Sequence, residues 1–128
     1  MRLLLDTCTF LWIAVDAKDL SGRARKLFVD PGNDVFLSVA SAWEIAVKNR
    51  LGKLPLPEPV ERFVPALRER HGIESLSLDE ESALHEARLP ALHRDPFDRI
   101  LVSQAIVHGL VILTPDSQIQ QYPVRTTW

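Results

Sequence analysis

Two short runs of this chain contain almost no polar residue. Val35-Phe36-Leu37 and Leu110-Val111-Ile112-Leu113 are as long as single strands and read as strands buried on both faces. Leu3-Leu4-Leu5 is a third run, less decisive because leucine also favours helices. Ile73 to Leu78 alternates with one slip and predicts a weaker outer strand. Val124 to Thr126 predicts a last strand, which Pro123 confines to an edge or to a strand start. Between these runs the apolar spacing turns helical. Helices are predicted over Thr7–Val15, Ser21–Val29, Ala42–Leu51, Val60–Arg70, Glu80–Leu89 and Phe97–His108. Gly52 and Gly109 are placed to end two of them, and Pro65 predicts a kink or a late start in a third. Strands alternating with helices imply right-handed crossovers and a parallel sheet covered on both faces, an α/β three-layer arrangement. Functional sites in such sheets form beyond the carboxyl ends of the strands.

Composition narrows this further. The chain has 128 residues, the size of one domain spanning 1–128, and its 46% hydrophobic and 25% charged residues are ordinary for a soluble protein. No apolar run approaches the roughly 20 residues that a membrane span needs. In Met1-Arg2-Leu3-Leu4-Leu5-Asp6 an acid comes too early for the apolar region of a signal peptide. The single cysteine, Cys8, excludes an internal disulfide framework, so the expected location is the reducing cytoplasm. A net charge of −2 argues against general nucleic-acid binding.

The acids change that picture. Asp6 follows the leucine run, and Asp116 follows Leu113-Thr114-Pro115. Glu44 lies in Ser41-Ala42-Trp43-Glu44-Ile45, and Asp98 in Asp95-Pro96-Phe97-Asp98-Arg99. If the strands are parallel, all four carboxylates meet at one edge of the sheet. Two unit charges about 5 Å apart repel by roughly 3 kcal/mol at an effective dielectric near 20. A hard divalent cation, Mg2+ or Mn2+, removes that repulsion and suits all-oxygen ligands. Each acid alone also has a plainer reading. Asp6 can cap a helix, and Ser41-x-x-Glu44 has capping-box spacing. Glu44 can pair with Lys48 one turn on. Asp95-Pro96 reads as a cap followed by a proline at the first helical position, and Thr114-Pro115-Asp116 reads similarly. Caps alone do not require acids, and they give no reason for Asp98 in addition to Asp95.

Other residues carry less. The four histidines, His71, His85, His93 and His108, show no zinc spacing. No glycine-rich phosphate loop is present. Arg94, Arg99, Lys48 and Arg50 are candidates to hold phosphates, with solvated surface charge the competing reading for at least half of them. Trp12, Trp43, Phe10 and Phe97 read as core or subunit contacts.

Taken together these residues bring a family into view. Leu3-Leu4-Leu5-Asp6-Thr7 with Leu11-Trp12, Ser38 to Lys48, Gly52-Lys53-Leu54, Leu89-Pro90, His93 to Arg99, Thr114-Pro115-Asp116 and Tyr122-Pro123-Val124 resemble the PIN-domain ribonucleases, and closely the VapC-type toxins of bacterial toxin–antitoxin pairs. The resemblance covers nearly the whole chain. It implies a five-stranded parallel sheet of order 3-2-1-4-5 and a Mg2+- or Mn2+-dependent endoribonuclease. It makes Asp6, Glu44, Asp98 and Asp116 the acidic, metal-binding quartet, with Asp95 a cap or an outer helper. Thr7, Ser41 and Thr114 would support the carboxylates, and Arg94, Arg99 and Lys48 would contact RNA. It further implies a homodimer and a cognate antitoxin partner. Cys8 departs from the family, in which many relatives carry histidine there. The competing function is a non-catalytic PIN-like module that binds RNA or protein; a small-substrate phosphatase ranks below both.

Overall fold

The computed structural model describes residues 1–128. In chain order its elements are β1 (Arg2–Leu5), α1 (Thr7–Ala14), α2 (Gly22–Val29), β2 (Asp34–Ser38), α3 (Val39–Arg50), α4 (Val60–Arg70), β3 (Glu74–Leu76), α5 (Glu80–His85), α6 (Pro96–His108), β4 (Val111–Leu113), α7 (Ser117–Gln120) and β5 (Thr126–Thr127); a 3-10 turn at Glu86–Arg88 follows α5. All strand pairings are parallel, and the sheet order is β3-β2-β1-β4-β5. The α/β fold with order 3-2-1-4-5 is the one expected.

The leucine run explains why β1 is central. Successive strand side chains point to opposite faces, yet Leu3, Leu4 and Leu5 are all fully buried. Leu3 and Leu5 join Val35, Leu37 and Leu113 under α1 to α4, against Phe10, Ala24, Ile45 and Leu67. Leu4 joins Ile112 on the other face, against Leu101, Val102 and Ala105 of α6 and Ile119 of α7. Burying one such side chain stabilises the fold by about 1.5–3 kcal/mol. The chain winds in one direction from β1 to β3, then crosses to the other face to enter β4. The order therefore reverses between β1 and β4, where open α/β sheets form a crevice. No helix is long and apolar enough to cross a membrane.

Three element boundaries differ from the sequence reading, each for a physical reason, and a fourth element keeps its bounds where a kink or late start was expected. α3 starts at Val39 rather than Ala42, because the Ser38 side chain accepts from Ala40 N at 3.0 Å and caps it. Ser41 and Glu44 are therefore interior positions and form no capping box. The helix expected over Glu80–Leu89 breaks at His85 into the 3-10 turn, whose Glu86 carbonyl accepts from Arg99. β5 sits at Thr126–Thr127, later than Val124 to Thr126, since Val124 N is used in a tight turn to the Tyr122 carbonyl. α4 runs through Pro65 without a break, with Val64 and Leu67 buried on its inner face.

Candidate active site

Asp6 is buried at the end of β1 and caps α1: its Oδ1 accepts from Thr9 N at 2.8 Å. Its Oδ2 accepts from Thr114 Oγ1, at the end of β4, at 2.5 Å. The same Thr114 oxygen accepts from Asp116 N at 3.0 Å, and Asp116 caps α7 through Gln118 N at 2.8 Å. Asp6 and Asp116 thus flank one buried threonine at the crevice between the two central strands. Glu44 reaches the same edge from α3. Thr7 Oγ1 donates to its Oε1 at 2.6 Å and lies 3.0 Å from Ser41 Oγ, while Lys48 Nζ donates to its Oε2 at 2.5 Å. Asp98 enters on the first turn of α6, with Oδ2 3.2 Å from His93 Nε2. Asp95 is the α6 cap, accepting from Phe97 N at 2.9 Å and Asp98 N at 3.3 Å.

Burial sets the electrostatics of the site first and neighbouring charge second. Asp98 is pushed up to about 6, first by burial and then by the charges of Asp95, Asp116 and Glu44, with the His93 bond opposing. Asp6 is raised chiefly by burial, partly offset by the bonds from Thr114 and Thr9, and is raised further by Asp116. Cys8, on the exposed rim, is pushed up to about 11 by desolvation and by Asp6 and Glu44. Lys48 is raised by its bond to Glu44. Desolvation and like charge both disfavour ionised carboxylates here. No three acidic, His or Cys side chains converge on one point, because each carboxylate is turned toward a protein donor. The donor set is nonetheless one of carboxylates and hydroxyls, and it fits a hard divalent cation that would relieve the crowded negative charge.

The sequence candidates separate into two groups. Asp6, Glu44, Asp98, Asp116, Thr7, Ser41 and Thr114 meet at one edge of the sheet, with Asp95 beside them and Lys48 tied to Glu44. Arg94 is exposed near the start of α6. Arg99 does not face the crevice as a free cation. Its guanidinium donates to Glu86 Oε1 (2.6 Å), Pro90 O (2.8 Å) and Tyr122 Oη (3.0 Å), and to the carbonyls of Glu86 and Leu89. The expectation that Arg99 binds substrate is corrected accordingly: it stitches the turn at 86–90 to α6. Sequence reasoning missed His93 and Tyr122. Their contact spans 29 residues, and no spacing rule announces it.

The fold and the clustered carboxylates define a class, a doubly wound α/β domain with an acidic crevice at its central strand ends. The PIN domain family model matches residues 3–124, and the chain belongs to that family. Ribonuclease VapC16 of Mycobacterium tuberculosis is 45% identical over 69 residues, which are 54% of this chain and 49% of that protein. The match thus spans about half the length of that relative. VapBC2 from Rickettsia felis, bound to a DNA fragment from its promoter, aligns with TM-score 0.75 at 15% identity, over 99% of this chain and 98% of that one. DNA-bound VapBC from Salmonella typhimurium aligns with TM-score 0.66 at 20% identity, over 99% and 97%. At these identities the likeness to solved structures concerns the fold.

Proposed function

We propose that this chain is a divalent-metal-dependent endoribonuclease that hydrolyses RNA phosphodiester bonds, and the toxin of a toxin–antitoxin pair. The observation that carries the reading is that Asp6, Glu44, Asp98 and Asp116 all lie along one edge of the sheet at the β1/β4 crevice, near enough that Asp98 feels the charges of Glu44 and Asp116. The ribonuclease name of the relative, and a toxin–antitoxin complex among the fold neighbours, support it.

Asp6 and Asp98 would hold magnesium or manganese, with Asp116 and Glu44 completing the shell. A bound cation supplies a water of lowered pKa and neutralises charge building on the phosphate. Thr114 fixes Asp6 by donating to Oδ2, and Thr7 fixes Glu44 by donating to Oε1. Glu44, held between Thr7 and Lys48, would orient the attacking water. Lys48 and exposed Arg94 would receive the RNA phosphates. A cognate antitoxin would neutralise the enzyme. A second copy of the chain would cover the apolar patch of Val39, Trp43, Leu78, Phe97 and Ile100, in which Trp43 is 65% exposed and meets Phe97 edge-on at 5.4 Å. Incubation of the protein with RNA in magnesium, with and without EDTA, tests the central reading. Cleavage that EDTA abolishes is the expected result. Manganese binding without any cleavage would favour the non-catalytic binding module instead.

A further inference from the structure

His93 and Tyr122 form a hydrogen-bonded chain whose direction can be worked out atom by atom. The Tyr122 side chain is buried, and three groups surround its hydroxyl: Arg99 Nη1 at 3.0 Å, the His93 backbone N at 3.3 Å and His93 Nδ1 at 2.6 Å. The guanidinium and the backbone amide can only donate. Together they occupy both lone pairs of the phenol oxygen. Its one hydrogen is left for the third and nearest neighbour, His93 Nδ1, which must then accept. An accepting ring nitrogen carries no proton, so the ring proton sits on Nε2, 3.2 Å from Asp98 Oδ2. Arg99 cannot swing away to undo this, because Glu86 and the carbonyls of Pro90 and Leu89 hold its other donors.

We infer that His93, its tautomer set by the Arg99–Tyr122 pair, is the positioning residue for Asp98: it clamps Oδ2 and leaves Oδ1, which no protein donor reaches, as the oxygen offered to the cation. The inference rests on Asp98 being a metal ligand in the proposed site. A ring N–H held to a carboxylate is a recurrent way of orienting a metal site, and removing such a partner typically costs about 10–100-fold in metal affinity. A histidine serving only to pack α6 would need neither a fixed tautomer nor a donor aimed at Asp98.

Two measurements on the full chain at neutral pH test it. Ring-nitrogen NMR of His93 should show a protonated Nε2 and a bare Nδ1, and Tyr122→Phe should mix the two tautomers. Titration with manganese alone should give an affinity about 10-fold weaker in His93→Ala. His93→Gln, whose amide N–H can take the place of Nε2–H, should recover most of that loss. If His93→Ala fails to fold, the His93→Gln titration and the Tyr122→Phe spectrum decide. A proton on Nδ1 in the native protein would overturn the inference. So would wild-type manganese affinity in His93→Ala while Asp98→Asn loses it. Native protein that shows the predicted tautomer and binds manganese but cuts no RNA would sink the ribonuclease reading and leave this inference standing.

Discussion

At the scale of single residues, the acids do two jobs at once. Asp6 and Asp116 cap helices, as their plain reading predicts, but Asp6 spends one oxygen on the cap and keeps the other at the crevice, where Thr114 holds it. Their placement was legible because an acid directly after a buried apolar run lands at the carboxyl edge of a sheet. The roles of Arg99 and His93 were not, because a sequence shows charge but not the internal partners that consume it. Asp6→Asn keeps a capping oxygen and removes a buried charge. RNA cleavage in magnesium should fall by more than the roughly 100-fold that an outer partner can account for, while the chemical-denaturation midpoint stays level or rises. Asp98 makes a pH prediction with a definite sign. Its folded-state value, about 6 against an ordinary 3.8, means that the native state holds this proton more tightly than the unfolded chain does. The resulting stabilisation is complete below the unfolded value and is lost as pH rises through about 6. In EDTA-treated protein, Asp98→Asn should therefore be more stable than the parent at neutral pH, by about 1–3 kcal/mol, and equal to it in acid well below the ordinary carboxylate range. Denaturation curves at both ends of that window check it. Metal binding runs the other way: protons compete for Asp98, so manganese affinity should weaken as pH falls below about 6.

Among the elements, α6 carries the most consequence. Asp95 opens it with Pro96 behind, Leu101, Val102 and Ala105 bury one face against Leu4 and Ile112, and Gly109 closes it at φ 67°. All of this is local chemistry, which is why Phe97–His108 could be read so nearly to its ends. The start of α3 could not, since Ser38 and Ser41 offer equally good caps and only the end of β2 selects Ser38. α5 breaks early because Arg99 draws the carbonyls of Glu86 and Leu89 toward itself, a tertiary demand without a sequence signature. Arg99→Ala leaves Glu86 and several carbonyls without their donor, and should cost about 2–4 kcal/mol by urea denaturation. Amide exchange should quicken first at residues 86–90, ahead of the sheet. Gly109→Ala forces a side chain into the left-handed region and should cost about 1–2 kcal/mol with the crevice unchanged.

At the scale of the whole molecule, the topology forces the chemistry. Reversing the winding direction between β1 and β4 opens a crevice there, and the chain then places Asp6 and Asp116 on its two rims while α3 and α6 deliver Glu44 and Asp98. That concentrates negative charge where burial makes charge costly, as the upward displacement of both Asp6 and Asp98 records. A ligand that binds only the folded state stabilises it by mass action. Manganese or magnesium at about 100 times its dissociation constant should therefore add about 2.7 kcal/mol, which for a chain of this length raises the melting temperature by about 10 °C. EDTA should reverse the rise completely. Asp6→Asn and Asp98→Asn should each lack most of it, even where their metal-free melting points lie above that of the parent, because the repulsion they relieve is the same repulsion that the cation would relieve. Calorimetric scans of the three proteins with and without manganese separate the contributions. Equal melting points for the parent chain in manganese and in EDTA would mean that the gathered carboxylates do not hold a cation, and the proposed hydrolysis would lose its water-activating centre.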